Sequence, residues 1–237
     1  MTEHYDAIVQ GLIDAAHDDN QLVRSAAVRA LGRAKAADAI PILVLSLRDK
    51  AGFVYDFAVS ALAGMDAPAI IPAMMERLTD NDSEVRRAAA TILGARKHRE
   101  AVPGLIAALN DDVLEVGHAA AAALGDIGDP SAVAPLAAVL ENPHTDWAMC
   151  INAAQALGKL GDPAAVPALI GIFRRRWDPV PGMNTTPPVR KNVLEALVQL
   201  GDSAVPQLLA ALKDNDIKVR HGAVEALGHI AEKSNES

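Results

Sequence analysis

A leucine followed by a small residue returns along this chain at a nearly constant interval, and that interval constrains the fold more than any other feature. The leucines are Leu31, Leu62, Leu93, Leu124, Leu157, Leu197 and Leu227, so the steps are 31, 31, 31, 33, 40 and 30 residues. Glycine follows each of them except at Ala63 and Val198. Self-similarity at such a period marks a stack of small units, each unable to bury its apolar face alone and each covered by its neighbours.

The residues around each leucine identify the unit. Eight positions before it stand Val23, Val54, Val85, Val116, Met149, Val189 and Val219, and four before it Ala27, Ala58, Ala89, Ala120, Ala153, Val193 and Ala223. Side chains at these offsets share one face of a helix. The alanines allow a neighbouring helix to come close. Thirteen positions before the leucine, Asp18, Asp49, Asp80, Asp111 and Asp214 stand in short polar links, where an aspartate suits the N-terminus of the helix that follows. Pro41, Pro72, Pro103, Pro135, Pro167 and Pro206 open a second apolar run before each link, and proline is tolerated in a first helical turn. Each unit therefore reads as helix, acidic turn, helix, then a Gly-Asp break. The expected fold is all-α, an α-α superhelix of about seven helix pairs. The chain is expected to form one solenoid with units near residues 5–36, 37–66, 67–98, 99–130, 131–163, 164–203 and 204–233, and a polar tail at 234–237. Asp6–His17 and the tail are expected to act as polar caps.

Composition agrees and excludes several functions. Half the chain is hydrophobic and only 3% is aromatic, which disfavours a β-sandwich or barrel. The net charge of −8 and the lack of a basic tract argue against nucleic acid, whose binding draws on Lys and Arg. No apolar stretch is long enough for a membrane span, and the start MTEHYDAIVQ lacks the pattern of a secretory signal. Cys150 is the single cysteine, so an internal disulfide and a multi-cysteine zinc site are excluded. A cytoplasmic protein, monomeric and without a membrane partner, is expected.

The pattern D-x-(D/N)-x-x-V-R-x-x-A-x-x-A-L-G, clearest in DNDSEVRRAAATILG and DNDIKVRHGAVEALG, resembles the HEAT-like repeats named after phycobilisome lyases. The resemblance runs from about Asp6 to Ala231. That family contains bilin lyase subunits, iron-dependent hydroxylases and scaffolds with no chemistry, so it implies a fold more than a function. It also implies that the second helix of each pair lines a concave groove, through offsets −6, −2 and +2 from the leucine. Those offsets hold Ser25, Arg29, Asp56, Ser60, Arg87, Thr91, His118, Ile151, Gln155, Lys159, Lys191, Glu195, His221, Glu225 and His229, a mixture neutral overall. Arg24, Arg86, Arg190 and Arg220 hold the V-R position and are expected to pair with the acidic turns; Tyr55, Gly117 and Cys150 interrupt them.

Resemblance to the deoxyhypusine hydroxylase type implies His-Glu pairs at offsets −6 and −5. Only His118 and His221 match the histidine, and the glutamate positions hold Ala119 and Gly222, so no di-iron site is expected. His221, Glu225 and His229 form a helical stripe, but the two histidines are about 12 Å apart along the axis and cannot share one metal. Glu115 and His118 form half a carboxylate site in a single copy. No phosphate loop, HExxH or GxSxG occurs, so no catalytic residue, metal or cofactor is assigned.

The departures from the repeat remain. The 33-residue step lies in ENPHTDWAMCIN and the 40-residue step in FRRRWDPVPGMNTTPPVRKN, where an inserted loop is expected at 176–188. Insertions in a repeat fall on loops, and Trp and Arg are the usual anchors of an interface. A non-enzymatic module is expected, binding a protein partner through Trp147, Ile151, Arg174, Arg176, Trp177, Met183 and His118. The alternatives are a bilin lyase-type subunit or chaperone and, behind it, a degenerate hydroxylase. Cys150 follows a core position and reads as small, partly buried filler.

Overall fold

In the computed structural model, residues 2–176 and 188–235 are described, and they are helical with short links. The α-helices run α1 (Thr2–Ala15), α2 (Gln21–Ala34), α3 (Ile40–Leu45), α4 (Gly52–Gly64), α5 (Ile70–Arg77), α6 (Ser83–Ala95), α7 (Val102–Ala108), α8 (Leu114–Ile127), α9 (Val133–Glu141), α10 (Trp147–Leu160), α11 (Val166–Gly171), α12 (Val189–Leu200), α13 (Val205–Ala211) and α14 (Ile217–Asn235). They form the seven pairs of the repeat. The chain divides into two compact units, residues 1–104 and 105–237. In the first, α4 packs between α2 and α6; in the second, α8, α10, α12 and α14 stack in chain order. The even-numbered helices thus form a layer within each unit, and the odd-numbered ones pack beside them.

The recurring leucines from Leu31 to Leu197 are completely buried. Their glycines have a separate role. A Cβ added at Gly32 would stand 2.6 Å from Cβ of Ala61, and one at Gly125 would stand 2.7 Å from Cα of Ala156. At Gly158 it would lie 3.0 Å from Cα of Ala196. The Leu-Gly step is therefore a contact point at which one long helix presses its backbone against the small residue of the next. Gly128 and Gly161 end α8 and α10 in the left-handed conformation, at φ 74° and 70°, which closes those helices before the Asp-Pro turn.

Two expectations change. The aspartates thirteen before the leucine do not cap their helices. Each closes the link instead: Asp18 Oδ1 accepts from the Asn20 amide at 2.7 Å, and Asp49, Asp80, Asp111 and Asp214 accept from amides two residues on at 2.9 Å. The caps sit two residues later, where Asn20, Asp82 and Asp216 accept from Leu22, Glu84 and Lys218. One polar residue closes the turn and the next starts the helix, which explains the Asp-x-Asp spacing. The outer pairs are also less polar than expected of caps. Tyr5 and Ile8 on α1 and Val224 on α14 are exposed. Val23 is 39% exposed although its six counterparts are buried. Among the described residues, no helix is long and apolar enough to cross a membrane.

Candidate partner-binding surfaces

The V-R arginines are structural. Arg24 forms a two-pronged ion pair with Asp49 of the next repeat, at 2.6 and 3.0 Å. Its remaining nitrogen donates to the carbonyls of Asp18 and Asp19 in its own link. That pairing holds the Asp49 carboxyl below its ordinary pKa, chiefly through the hydrogen bond from Arg24. Arg86 donates to the carbonyls of Asp80 and Asn81, and Arg220 to those of Asp214 and Asn215. An arginine seven before the leucine thus clamps the two carbonyls that follow the helix ahead of it. Arg190 differs. It is bound to Glu225 at 2.5 Å, donates to His221 Nδ1 and lies over the Phe173 ring at 4.9 Å.

The fifth link lacks this arginine, since Cys150 takes its place. Here the guanidinium comes from the following repeat. Arg175, just beyond α11, donates to the carbonyls of Asn142, Pro143 and Thr145 and reaches Cys150 Sγ at 3.3 Å. Asn142 closes the turn through the His144 amide, and Asp146 caps α10 through the amides of Ala148 and Met149. The Thr145 hydroxyl donates to the Val139 carbonyl at 2.8 Å. Cys150 is completely buried, and burial pushes its thiol up to about 11, with Arg175 opposing. Its smallness leaves room for Arg175.

The residues singled out in the sequence separate accordingly. His118, on α8, faces Asp146 at 3.4 Å and so ties α8 to the start of α10. Trp147 is the first residue of α10 and is 39% exposed, while Ile151, one turn on, is half-buried. Arg174 is paired with Asp214 at 2.5 Å, and Arg176 is exposed. Trp177 and Met183 lie outside the described residues, as does most of the expected loop at 176–188. Arg175 was passed over in the sequence as one of three consecutive arginines. The missing arginine at position 150 was the available signal.

The offset stripe faces solvent for the most part. Ser25 is the exception, being buried with its hydroxyl donating to the Leu22 carbonyl. Several stripe residues join neighbouring helices: Lys159 to Asp126 at 2.7 Å and Gln155 to Asn192 at 2.7 Å. Between α12 and α14 the stripe opens into a groove of about 830 Å³. Leu194 and Val198 give it apolar lining, and Arg190, Lys191, Glu195 and Glu225 charged walls. A second pocket of about 640 Å³ opens between α7, α9 and the fifth link.

Among the described residues no three His, Cys, Asp or Glu side chains gather where an ion could sit. At Gly222, where a hydroxylase-like glutamate would stand, an added Cβ would run into the Phe173 ring.

The profile for HEAT repeats matches residues 4–63, 47–121, 71–149, 114–181 and 183–237. The chain belongs to the HEAT-repeat family. This HEAT-repeat protein is similar in fold to the CpcE–CpcF complex of phycocyanin lyase from Nostoc sp. PCC7120, at 21% identity and a TM-score of 0.53, over 95% of this chain and 87% of that one. It is similar to Kap121p at 15% identity and a TM-score of 0.67, over 99% of this chain but 31% of that one. A third similar chain comes from a Kap95p–RanGDP structure, at 16% identity and a TM-score of 0.61, over 95% and 37%. No curated protein sequence matches the chain.

Proposed function

We propose that this HEAT-repeat protein is a non-enzymatic scaffold or assembly factor that holds a protein partner through its groove and the irregular links of repeats five and six. The observation that carries the reading is the groove between α12 and α14. Its walls alternate in charge over an apolar lining, the composition of a surface that reads another polypeptide. The same reading has the protein acting as a cytoplasmic monomer built as one solenoid, without a cofactor, nucleic acid or membrane. The test is affinity capture from source-cell lysate with quantitative mass spectrometry. The chain should retain a defined protein, and the charge reversals Lys191→Glu with Glu195→Lys, combined with Trp147→Ala, should release it while helicity is unchanged. No retained protein, or retention indifferent to these changes, overturns the proposal.

The likeness to the phycocyanin lyase complex over most of both chains favours a second reading, a bilin lyase-type subunit or chaperone. A shift in the visible absorbance of a linear tetrapyrrole on mixing with the purified protein would support it. An unchanged spectrum removes it.

A further inference from the structure

The pocket at the fifth link lies in an unusual stretch of chain. From Ala101 to Gly158 there is no Lys or Arg, while Asp111, Asp112, Glu115, Asp126, Asp129, Glu141 and Asp146 are acidic, Asp126 being paired with Lys159. The pocket sits within this stretch. Leu109, Val139 and Met149 supply apolar lining, and Asn142, Thr145 and Asp146 supply polar atoms. Leu114 also lines it and is 57% exposed. Leu114 and Trp147 hold the same place in successive repeats, the first residue of α8 and of α10, and both present large apolar surface to solvent. Glu115 and Glu141 are exposed and adjoin the lining residues Leu114 and Asn142 in the chain. The guanidinium that enters from outside the stretch, Arg175, is engaged by three link carbonyls.

An apolar pocket with anionic surroundings selects its occupant by two properties at once. Desolvation of the lining favours a large apolar side chain, and the surrounding carboxylates favour cations beside it. We infer that this pocket is the anchor site for a cationic peptide segment of a partner protein, which inserts one Leu, Ile, Phe or Trp side chain and places flanking Lys or Arg against Glu115, Glu141 and Asp146. The inference rests on the reading of the chain as an interaction module and adds the chemistry of the partner. It uses a surface at the link edge, separate from the α12–α14 groove.

The test is selection of a random dodecapeptide library displayed on phage against the immobilised full chain, followed by measurement of synthetic peptides. Enriched peptides should carry one large apolar residue flanked by at least two Lys or Arg. Replacing that residue with Ser should weaken binding about 30-fold, the usual weight of a buried anchor. Ala138 lines the pocket from an exposed position, so Ala138→Trp should fill it without disturbing the core and should abolish most of the binding. Glu115→Lys with Glu141→Lys should weaken binding and flatten its salt dependence. Neutral or acidic consensus peptides, binding indifferent to Ala138→Trp, or no enrichment would each overturn the assignment. If the lysate partner is retained but the selected peptides do not compete with it, the module reading stands and this pocket is not its anchor. If the peptides bind and no lysate protein is retained, the pocket chemistry stands and the module reading fails.

Discussion

The seventh and fifth links perform the same task with different residues. In the seventh, Asp214 closes the turn, Asp216 caps α14, and Arg220 of that same helix clamps the carbonyls of Asp214 and Asn215. In the fifth, Asn142 closes the turn, Asp146 caps α10, and the clamp is Arg175 from the next repeat. The fifth link is two residues longer, and the position seven before its leucine holds Cys150. In the seventh link the clamping arginine belongs to the same repeat, whereas in the fifth it comes from the sixth.

The largest effect should come from restoring the missing arginine. Cys150→Arg places a second guanidinium in a buried position against Arg175 and should cost about 3 kcal/mol or more in urea unfolding. Adding Arg175→Ala should recover part of the loss, and a double-mutant cycle measures that coupling. Simple additivity would show that the two positions do not exchange roles. Next, Arg175→Met removes three charge-assisted hydrogen bonds and should cost about 1.5–3 kcal/mol. Arg220→Met removes two such bonds and should cost less. Equal losses would erase the contrast between the links. Thr145→Val removes the tie to the Val139 carbonyl and should cost about 1 kcal/mol, with hydrogen exchange increased only around the fifth link.

The smallest effect at neutral pH concerns the thiol. Its pKa near 11 in the folded chain lies above the ordinary value of 9.0. Between these values the unfolded chain has lost the proton and the folded chain retains it. The thiol's contribution to stability is therefore complete below pH 9 and falls as pH rises toward 11. At pH 8, Cys150 should resist alkylation until the protein is unfolded, and Arg175→Met should speed its labelling by loosening the link. Rapid labelling of the native wild type would show that the thiol is not enclosed.

How much of this was legible in the residues depended on how local the cause was. The offset pattern around Leu31 to Leu227 identified the helix pairs, their acidic links and their buried faces, because helical periodicity acts over a few residues. The engagement of Arg24, Arg86 and Arg220 with the acidic links was legible because both recur with one period, whereas Arg190 pairs with Glu225 on α14 instead. Arg174 read as an interface anchor, yet it pairs with Asp214. Nothing in three consecutive arginines tells which one reaches across forty residues and which one enters a neighbouring link.

By itself the sequence determined that this chain is a stack of HEAT repeats, and that the fifth and sixth depart from the pattern. Those properties reside in short-range spacing, where side-chain direction on a helix leaves little choice. The tertiary structure decided which side chains meet between repeats. It showed that Gly32, Gly125 and Gly158 are backbone contact points, that Arg175 reaches the Cys150 sulfur, and that Leu114 and Met149 line a pocket in a stretch of negative charge. Such meetings depend on how one unit packs on the next within the stack, which a residue's own neighbours in the chain do not specify.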